Sequence, residues 1–313
     1  MKAIQINAYG GVDVLQVEDD IPNPTAGKGQ ILVDIYAASI NPFDIIIREG
    51  FMQKFIPLRF PVTVGGDFAG TVAGIGEGVT GYIVGNKVFG TAITLNGSSG
   101  GFADFASVTT GSVSLMPNNL DFENAASLPL VGSSAVQALE DHMKLRSGQK
   151  ILIHGGAGGI GSIAIQLAKS IGAYVAATTS SADRDYVKSL GADLAIDYKN
   201  EDFQTLVKDY DAVFDTVGGE ITTKSFNVLK KGGILVSMKG EPDKTLALKF
   251  GVVGIGQNTK TNTDHLIRVK ELVESGKLKP QVDKIFSINE VKEAFLYQAA
   301  PHHGKVVLKI KKV

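Results

Sequence analysis

The chain predicts a two-domain α/β protein, a doubly wound parallel sheet domain joined to a β-rich domain. Three observations carry this. Its 313 residues exceed what one domain usually holds. From about residue 120, short apolar runs alternate with amphipathic helical stretches, the pattern of a parallel sheet covered on both faces. Between one such run and helix lies "HGGAGGIG" (154–161), a glycine loop where a strand turns into a helix.

The first 117 residues read as strands. "KAIQI", "VLQVED" and "QILVDIYAASI" alternate or run apolar, separated by turn clusters such as "IPNPTAGKG". "VTVGGDFAGTVAGIGEGV" is strand-like and dense in glycine, which marks bends or close backbone approach. "NPFDIIIREG" is one short helix with Pro42 in its first turn. Later, "SSAVQALEDHMK" reads as a helix, followed by strand 151–153, helix 160–171, strand 174–178, helix 183–190 and strand 194–197. Helices near 202–208 and 220–229 alternate with the strands "DAVFDTV" and "GGILVSM", and another helix covers 263–275. The closing strand in "GKVVLKIKKV" is expected to return to the β-rich half. The expected division is therefore 1–120 with 277–313 against 121–276.

Composition excludes several classes. Lys plus Arg is 31 and Asp plus Glu is 32, a formal charge of −1, so nothing favours nucleic acid or an anionic membrane as partner. There is no cysteine, hence no disulfide, thiolate nucleophile or Cys-ligated zinc. The start "MKAIQINAYG" lacks the apolar core of a signal peptide, and no run approaches the ~18 apolar residues of a membrane helix. A cytoplasmic protein is expected.

Gly156, Gly158 and Gly161 match G-x-G-x-x-G between a strand and a helix, the context that gives this pattern meaning. Ile160, Ile163, Ala164, Leu167, Ala168 and Ile171 share one helical face, which would aim the helix N-terminus at the loop. Free N–H groups and the positive dipole end there suit a pyrophosphate. The loop residues Gly156, Ala157, Gly158, Gly159, Ile160 and Gly161 are thus expected to hold a dinucleotide. An NAD site carries an acid about 20 residues on, against the ribose 2′-hydroxyl. Here the second strand ends "VAATTSSADR" with no acid at its tip. Thr179, Ser180, Arg184 and Tyr198 are candidate contacts for a 2′-phosphate, which favours NADPH. Arg184 as a solvated surface charge and Tyr198 as a packed surface aromatic stay open.

These residues belong to an ordered set spanning nearly the whole chain. It comprises "INPFDIIIREG" (40–50), "PVTVGGDFAGTVAGIGEGV" (61–79), "AASLPLVGSSAVQAL" (125–139), the glycine loop, "SLGADLAIDY" (189–198), "VFDTVGGE" (213–220), "LVESGKLKPQVD" (272–283) and "GKVVLKI" (304–310). The set resembles the medium-chain dehydrogenase/reductase superfamily, and within it the zinc-free quinone oxidoreductase branch. The resemblance implies a GroES-like domain and a Rossmann domain with the active site in the cleft between them, NADPH as hydride donor, and a homodimer.

Zinc members of that superfamily hold a catalytic metal with Cys, His and an acid. Asn41 stands at the Cys position here, Gly66 at the His position and Asp67 at the acid's. No metal site is expected, and Asp44 and Asp67 read as capping or local hydrogen-bonding groups. Without a Lewis acid, conjugated acceptors are the easier substrates, because conjugation spreads the developing charge. The resemblance places Asn41 as the orienting polar group, with capping of helix 42–49 as an equal alternative. It places Ile46, Phe51, Met52 and Ser134 around the substrate. Val217, Gly218, Ser237 and Met238 fall at strand ends lining the cofactor, with Lys305 closing over it; core packing for the hydrophobes and a solvated Lys305 stay open. No tyrosine stands in 45–52 or at Val136, so no tyrosine proton donor is expected and solvent supplies the proton.

Other signals are set aside. Gly97–Gly101 matches G-x-S-x-G, but in a loop entering a strand rather than a strand-to-helix elbow. His154 reads as a strand-end hydrogen-bonding residue. His302 and His303 are adjacent, poor spacing for a metal, and His142 and His265 show no partner in sequence. The expectation is hydride transfer from NADPH to a quinone or α,β-unsaturated carbonyl. Two alternatives stand beside it: an enoyl-thioester reductase of the same superfamily, and a non-enzymatic NADPH-binding structural or redox-sensing protein.

Overall fold

A computed structural model describes residues 1–55 and 57–312. Ile56 and Val313, the last residue of the expected 277–313 segment, lie outside the described residues. Sixteen strands are described: β1 Ala3–Ile6, β2 Gln16–Glu18, β3 Gln30–Ile40, β4 Val62–Thr63, β5 Asp67–Ile75, β6 Lys87–Thr91, β7 Phe105–Thr109, β8 Val113–Leu115, β9 Lys150–His154, β10 Tyr174–Thr179, β11 Leu194–Asp197, β12 Tyr210–Asp215, β13 Leu229–Ser237, β14 Val253–Gly256, β15 Val282–Ser287 and β16 Lys305–Lys309. The α-helices are α1 Pro42–Arg48, α2 Phe122–Ala126, α3 Pro129–Val136, α4 Gly159–Ile171, α5 Arg184–Ser189, α6 Phe203–Leu206, α7 Glu220–Ser225, α8 Lys244–Phe250, α9 Thr263–Glu274 and α10 Val291–Ala299. They form two compact units, 1–130 with 261–274 and 280–313, and 131–260 with 275–279.

The first unit is built on β3. Ile31, Val33 and Ile35 are buried while Leu32 and Asp34 are half-exposed, so the strand begins with one wet face. From Ala37 to Ile40 every residue is buried. The strand pairs antiparallel with β5, β7 and β16, in a seven-stranded sheet ordered β15-β16-β3-β5-β6-β8 with β7 beside β3. A three-stranded sheet, β2-β1-β4, completes the unit. Phe68, Phe102 and Phe295 pack with the aliphatic residues of β1, β3 and β16 into one core. The return of the closing strand thus takes the form of β16 registered on Ala37–Ile40. Helix α9 differs from the expected division, because it belongs to this unit. Thr263 Oγ1 donates to the carbonyls of Thr110 (2.9 Å) and Val113 (3.1 Å), and Glu274 accepts the Asn118 N–H at 3.0 Å. Its apolar stripe of Leu266, Val269, Leu272 and Val273 is buried.

The second unit carries a six-stranded, wholly parallel sheet ordered β11-β10-β9-β12-β13-β14. The order reverses between β9 and β12, the switch point at which such sheets bind ligands beyond their carboxyl ends. Ile151, Leu152 and Ile153 are fully buried, as expected of a strand covered on both faces. The helix expected over 133–144 winds as α3 and then continues in π-helical turns over 137–142.

His154 ends β9 in full burial. Its Nδ1 lies 3.2 Å from Thr178 Oγ1 and its Nε2 3.0 Å from Ser225 Oγ. Burial lowers its pKa to about 4, against the opposing pull of Asp215. The native imidazole is therefore neutral where the unfolded one takes a proton, and stability falls as pH drops from about 6.5 towards 4. The difference amounts to about 3 kcal/mol. Urea unfolding at pH 7 and pH 4.5 should show a smaller loss for His154→Gln than for the wild-type chain; equal losses would refute the assignment.

Candidate active site

The glycine loop is tied down at its base. Gly155 donates to Thr178 Oγ1 at 3.2 Å and Gly156 to the Thr178 carbonyl at 2.9 Å. The turn is made by Gly155, at φ 74°, rather than by Gly156, the first glycine of the sequence pattern. Gly156 instead lets β9 and β10 close up, since a Cβ there would lie 2.9 Å from Ala177 Cβ. A Cβ at Gly161 would lie 2.1 Å from the Gly155 carbonyl oxygen, so helix and strand can meet only at glycine. At Gly158 the nearest atom would be 3.5 Å away. Gly158 is the N-cap of α4, and the N–H groups of Gly159, Ile160 and Gly161 begin the helix at its positive end. Ala157 is buried beside them. The loop fits a pyrophosphate, and Gly158 leaves ordinary van der Waals room beside it.

The strand ends around the loop hold the other expected cofactor contacts. Thr179 ends β10 with its Oγ1 buried and without a partner, an orphan that a ribose or phosphate oxygen would satisfy. Ser180 Oγ donates to Asp183 Oδ2 at 2.7 Å, Arg184 is ion-paired with Glu201, and Tyr198 is exposed. Arg184 thus already has an anionic partner, while its side chain stays 37% exposed. Asp197 spends its oxygens on Ser181, Asn200 and the Lys199 N–H. At the ends of β12 and β13, Asp215 Oδ1 accepts the N–H groups of Val217 (2.9 Å) and Gly218 (3.0 Å). Its carbonyl accepts that of Met238 (2.8 Å), and Ser237 Oγ accepts that of Lys239 (3.1 Å). Ser134 Oγ lies 2.8 Å from Thr259 Oγ1, and Gln257 donates to the Ser134 carbonyl at 3.1 Å. Gln257, buried with its Oε1 unpartnered at the end of β14, was not singled out from sequence.

In the first unit a second constellation forms where β3, α1, β5 and β16 meet. Asn41 Nδ2 donates to Asp67 Oδ2 at 2.9 Å, and the Asn41 backbone N–H donates to Asp44 Oδ2 at 2.7 Å. The Lys305 ammonium donates to the Ile40 carbonyl at 2.7 Å and to Asn41 Oδ1. Asp67 Oδ2 also accepts the Leu130 N–H at 3.1 Å. Asn41, Asp44, Asp67 and Lys305 are all buried. Asn41 holds the N-cap position of α1, where a capping box joins it to Asp44, as the capping alternative expects. The placement of Lys305 over the cofactor is corrected: its ammonium is committed to Asn41 and Ile40. Phe51, expected around the substrate, is 73% exposed, whereas Ile46 and Met52 are half-buried.

Burial pushes the Asp44 carboxyl up to about 7, with Asp67 adding to the rise and the Asn41 N–H and Lys305 opposing it. Burial likewise raises Asp67, Lys305 opposing, and lowers Lys305, the two carboxylates opposing. These residues do not fit catalytic zinc. The donor set offers an amide and two carboxylates but no Cys or His, and an ammonium sits on the amide oxygen. A Cβ at Gly66, the position of the zinc members' histidine, would lie 4.0 Å from Asp44 Oδ1.

Residues 27–118 match the alcohol dehydrogenase GroES-like domain and residues 190–308 the zinc-binding dehydrogenase domain. The chain is 39% identical to the 2-methylene-furan-3-one reductase of Solanum lycopersicum, over 98% of this chain and 79% of that protein. It is 38% identical to the chloroplastic NADPH-dependent alkenal/one oxidoreductase of Arabidopsis thaliana, with the same coverage. The solved quinone oxidoreductase of Coxiella burnetii superposes with a TM-score of 0.90 at 33% identity, covering 99% of each chain.

The loop geometry separates two glycines. Gly158→Ala has room and an extended backbone, so it should keep its melting temperature and lose nucleotide affinity by about tenfold or more, read by titration calorimetry. Gly161→Ala forces helix from strand and should cost about 2 kcal/mol or more of stability. A Gly158→Ala protein that binds nucleotide normally would contradict the phosphate cradle.

Proposed function

Because the chain belongs to the medium-chain dehydrogenase/reductase superfamily, it is a pyridine-nucleotide oxidoreductase, and we propose that it reduces quinones or α,β-unsaturated carbonyls with NADPH. The observation that carries this reading is the buried Asn41–Asp67–Lys305 constellation, which offers a polarised amide where zinc dehydrogenases place a metal. An unconjugated carbonyl would need a stronger electrophile. A quinone or enone spreads the incoming negative charge through its π system. The names of the tomato and Arabidopsis relatives support the same acceptor class.

The residues divide the work. Gly156–Gly161 and the first turn of α4 hold the pyrophosphate, and Thr179 with the strand-end residues Val217, Gly218, Ser237 and Met238 holds the remainder of the nucleotide. When bound, reduced nicotinamide supplies a hydride. In an enone that hydride would form the new C–H bond at the β-carbon, the C=C π pair would become the Cα=C bond of an enolate, and the C=O π pair would move onto oxygen. The Asn41 amide donates to that oxygen, and solvent protonates the α-carbon. No step requires a side-chain acid, consistent with the absence of tyrosine from 45–52. Among the described residues no helix is long and apolar enough to cross a membrane.

NADPH is supported by the lack of an acid at the tip of β10, with Arg184 and Tyr198 as the 2′-phosphate contacts. Glu201 competes for Arg184, so the phosphate must displace or share that ion pair. Glu201→Gln should lower KM for NADPH by about threefold and Arg184→Ala should raise it by about tenfold, with NADH constants unmoved; equal changes for both nucleotides would remove Arg184 from the phosphate site. Purified protein should oxidise NADPH with a small quinone or an enone at the same rate with and without a chelator, followed by NADPH absorbance. Nucleotide binding without turnover of either acceptor would sink the reading.

A further inference from the structure

Lys305 is buried, with its ammonium on Asn41, the side chain proposed to donate to the acceptor oxygen. An ammonium only donates hydrogen bonds, and an ionised carboxylate only accepts them. With Lys305 on Oδ1 and Asp67 on Nδ2, the Asn41 carboxamide has a single satisfactory orientation. Flipped, it would turn its oxygen to the Asp67 carboxylate and its NH2 to the ammonium. One amide hydrogen goes to Asp67 and the second is left for a ligand. We infer that Lys305 is a positioning residue that holds the Asn41 amide so that it presents an N–H, and never its oxygen, to the carbonyl oxygen of the acceptor. The cation on Oδ1 also draws density from the amide and strengthens that N–H as a donor. The orientation matters only as negative charge builds on the acceptor oxygen, so its effect falls on kcat more than on KM. This inference rests on the proposed reduction of a conjugated carbonyl.

The neighbourhood explains how the lysine is held. Its backbone N–H donates to the Gln281 carbonyl at 2.8 Å, and β16 is registered on β3 up to Val306–Ile40. The side chain therefore reaches the end of β3 from a paired strand, not from a loose loop.

Two readouts test it. The first needs no turnover: in protein labelled with 15N-asparagine, the Asn41 side-chain amide is identified by its loss in Asn41→Ala, and its hydrogen exchange is measured. Lys305→Met should speed that exchange by about tenfold or more; unchanged exchange would overturn the inference whether or not the protein reduces enones. The second is a double-mutant cycle on enone reduction. Asn41→Ala should lower kcat by about 100-fold, as loss of an oxyanion donor does elsewhere, and Lys305→Met by about tenfold, each with the NADPH dissociation constant unchanged. The double variant should be no slower than Asn41→Ala. Losses that multiply, or a melting temperature that falls while kcat stands, would overturn it. If Lys305→Met fails to fold with two carboxylates left facing each other, Lys305→Met/Asp44→Asn removes the excess charge and leaves Asp67 on Asn41 for the same measurements. A wild-type protein that turns over no conjugated acceptor would defeat the proposed function, while the exchange result would still decide the amide's orientation.

Discussion

An ammonium and two carboxylates share one buried site in the first unit, and none of the three is affordable there alone. Removing an ion from water costs several kcal/mol even after the protein relaxes. Lys305, Asp44 and Asp67 offset that cost only together, with Asn41, the Ile40 carbonyl and the Leu130 N–H completing their hydrogen bonds. Lys305 lies 264 residues from Asn41 in sequence. The last long strand of the chain must therefore return to the first unit, and β16 does so by pairing with the end of β3. The discontinuity of that unit and the orientation of the Asn41 amide follow from the same contact.

The second unit is governed by a steric constraint instead. Helix α4 approaches β9 until position 161 stands 2.1 Å, by its absent Cβ, from the Gly155 carbonyl oxygen. That approach aims the helix N-terminus over the switch point of the sheet, where the N–H groups of the first turn gather. Three glycines then do three separate things: Gly155 makes the turn, Gly161 permits the packing and Gly158 leaves room. The proposed pyrophosphate site thus rests on backbone placement and needs no charged side chain.

Much of this was legible in the sequence because it is local. The strands at 30–40 and 194–197, helix α4 and the glycine loop all announce themselves within a window of a dozen residues through periodicity and turn chemistry. What was not legible is contact between distant segments. Lys305 read as a cofactor residue because its partner Asn41 lies at the other end of the chain, and a buried lysine is rare enough that solvation is the default. The apolar stripe of α9 told that it packs but not on which sheet; Thr263 and Glu274 settle that through bonds to 110–118. That Gly155 rather than Gly156 makes the turn was not legible either, since adjacent glycines cannot be told apart until φ is known. Gln257 carried no signal at all, a lone amide in a polar loop.

The nucleotide end shows how an absent charge and a present one differ as arguments. No acid at the tip of β10 removes repulsion towards a 2′-phosphate, but it adds no attraction. Attraction must come from Arg184, whose guanidinium already has a carboxylate in Glu201. The Glu201 carboxylate also accepts the Asp197 N–H at 2.7 Å, which keeps it in place when a ligand arrives. Because Arg184 and Glu201 are each about one-third exposed, water weakens their attraction, and a phosphate bearing nearly two charges competes well against a single carboxylate. Exchange of one anionic partner for another at Arg184 is therefore an accessible event. The proposed preference for NADPH then depends on how firmly Glu201 is anchored as much as on the presence of the arginine.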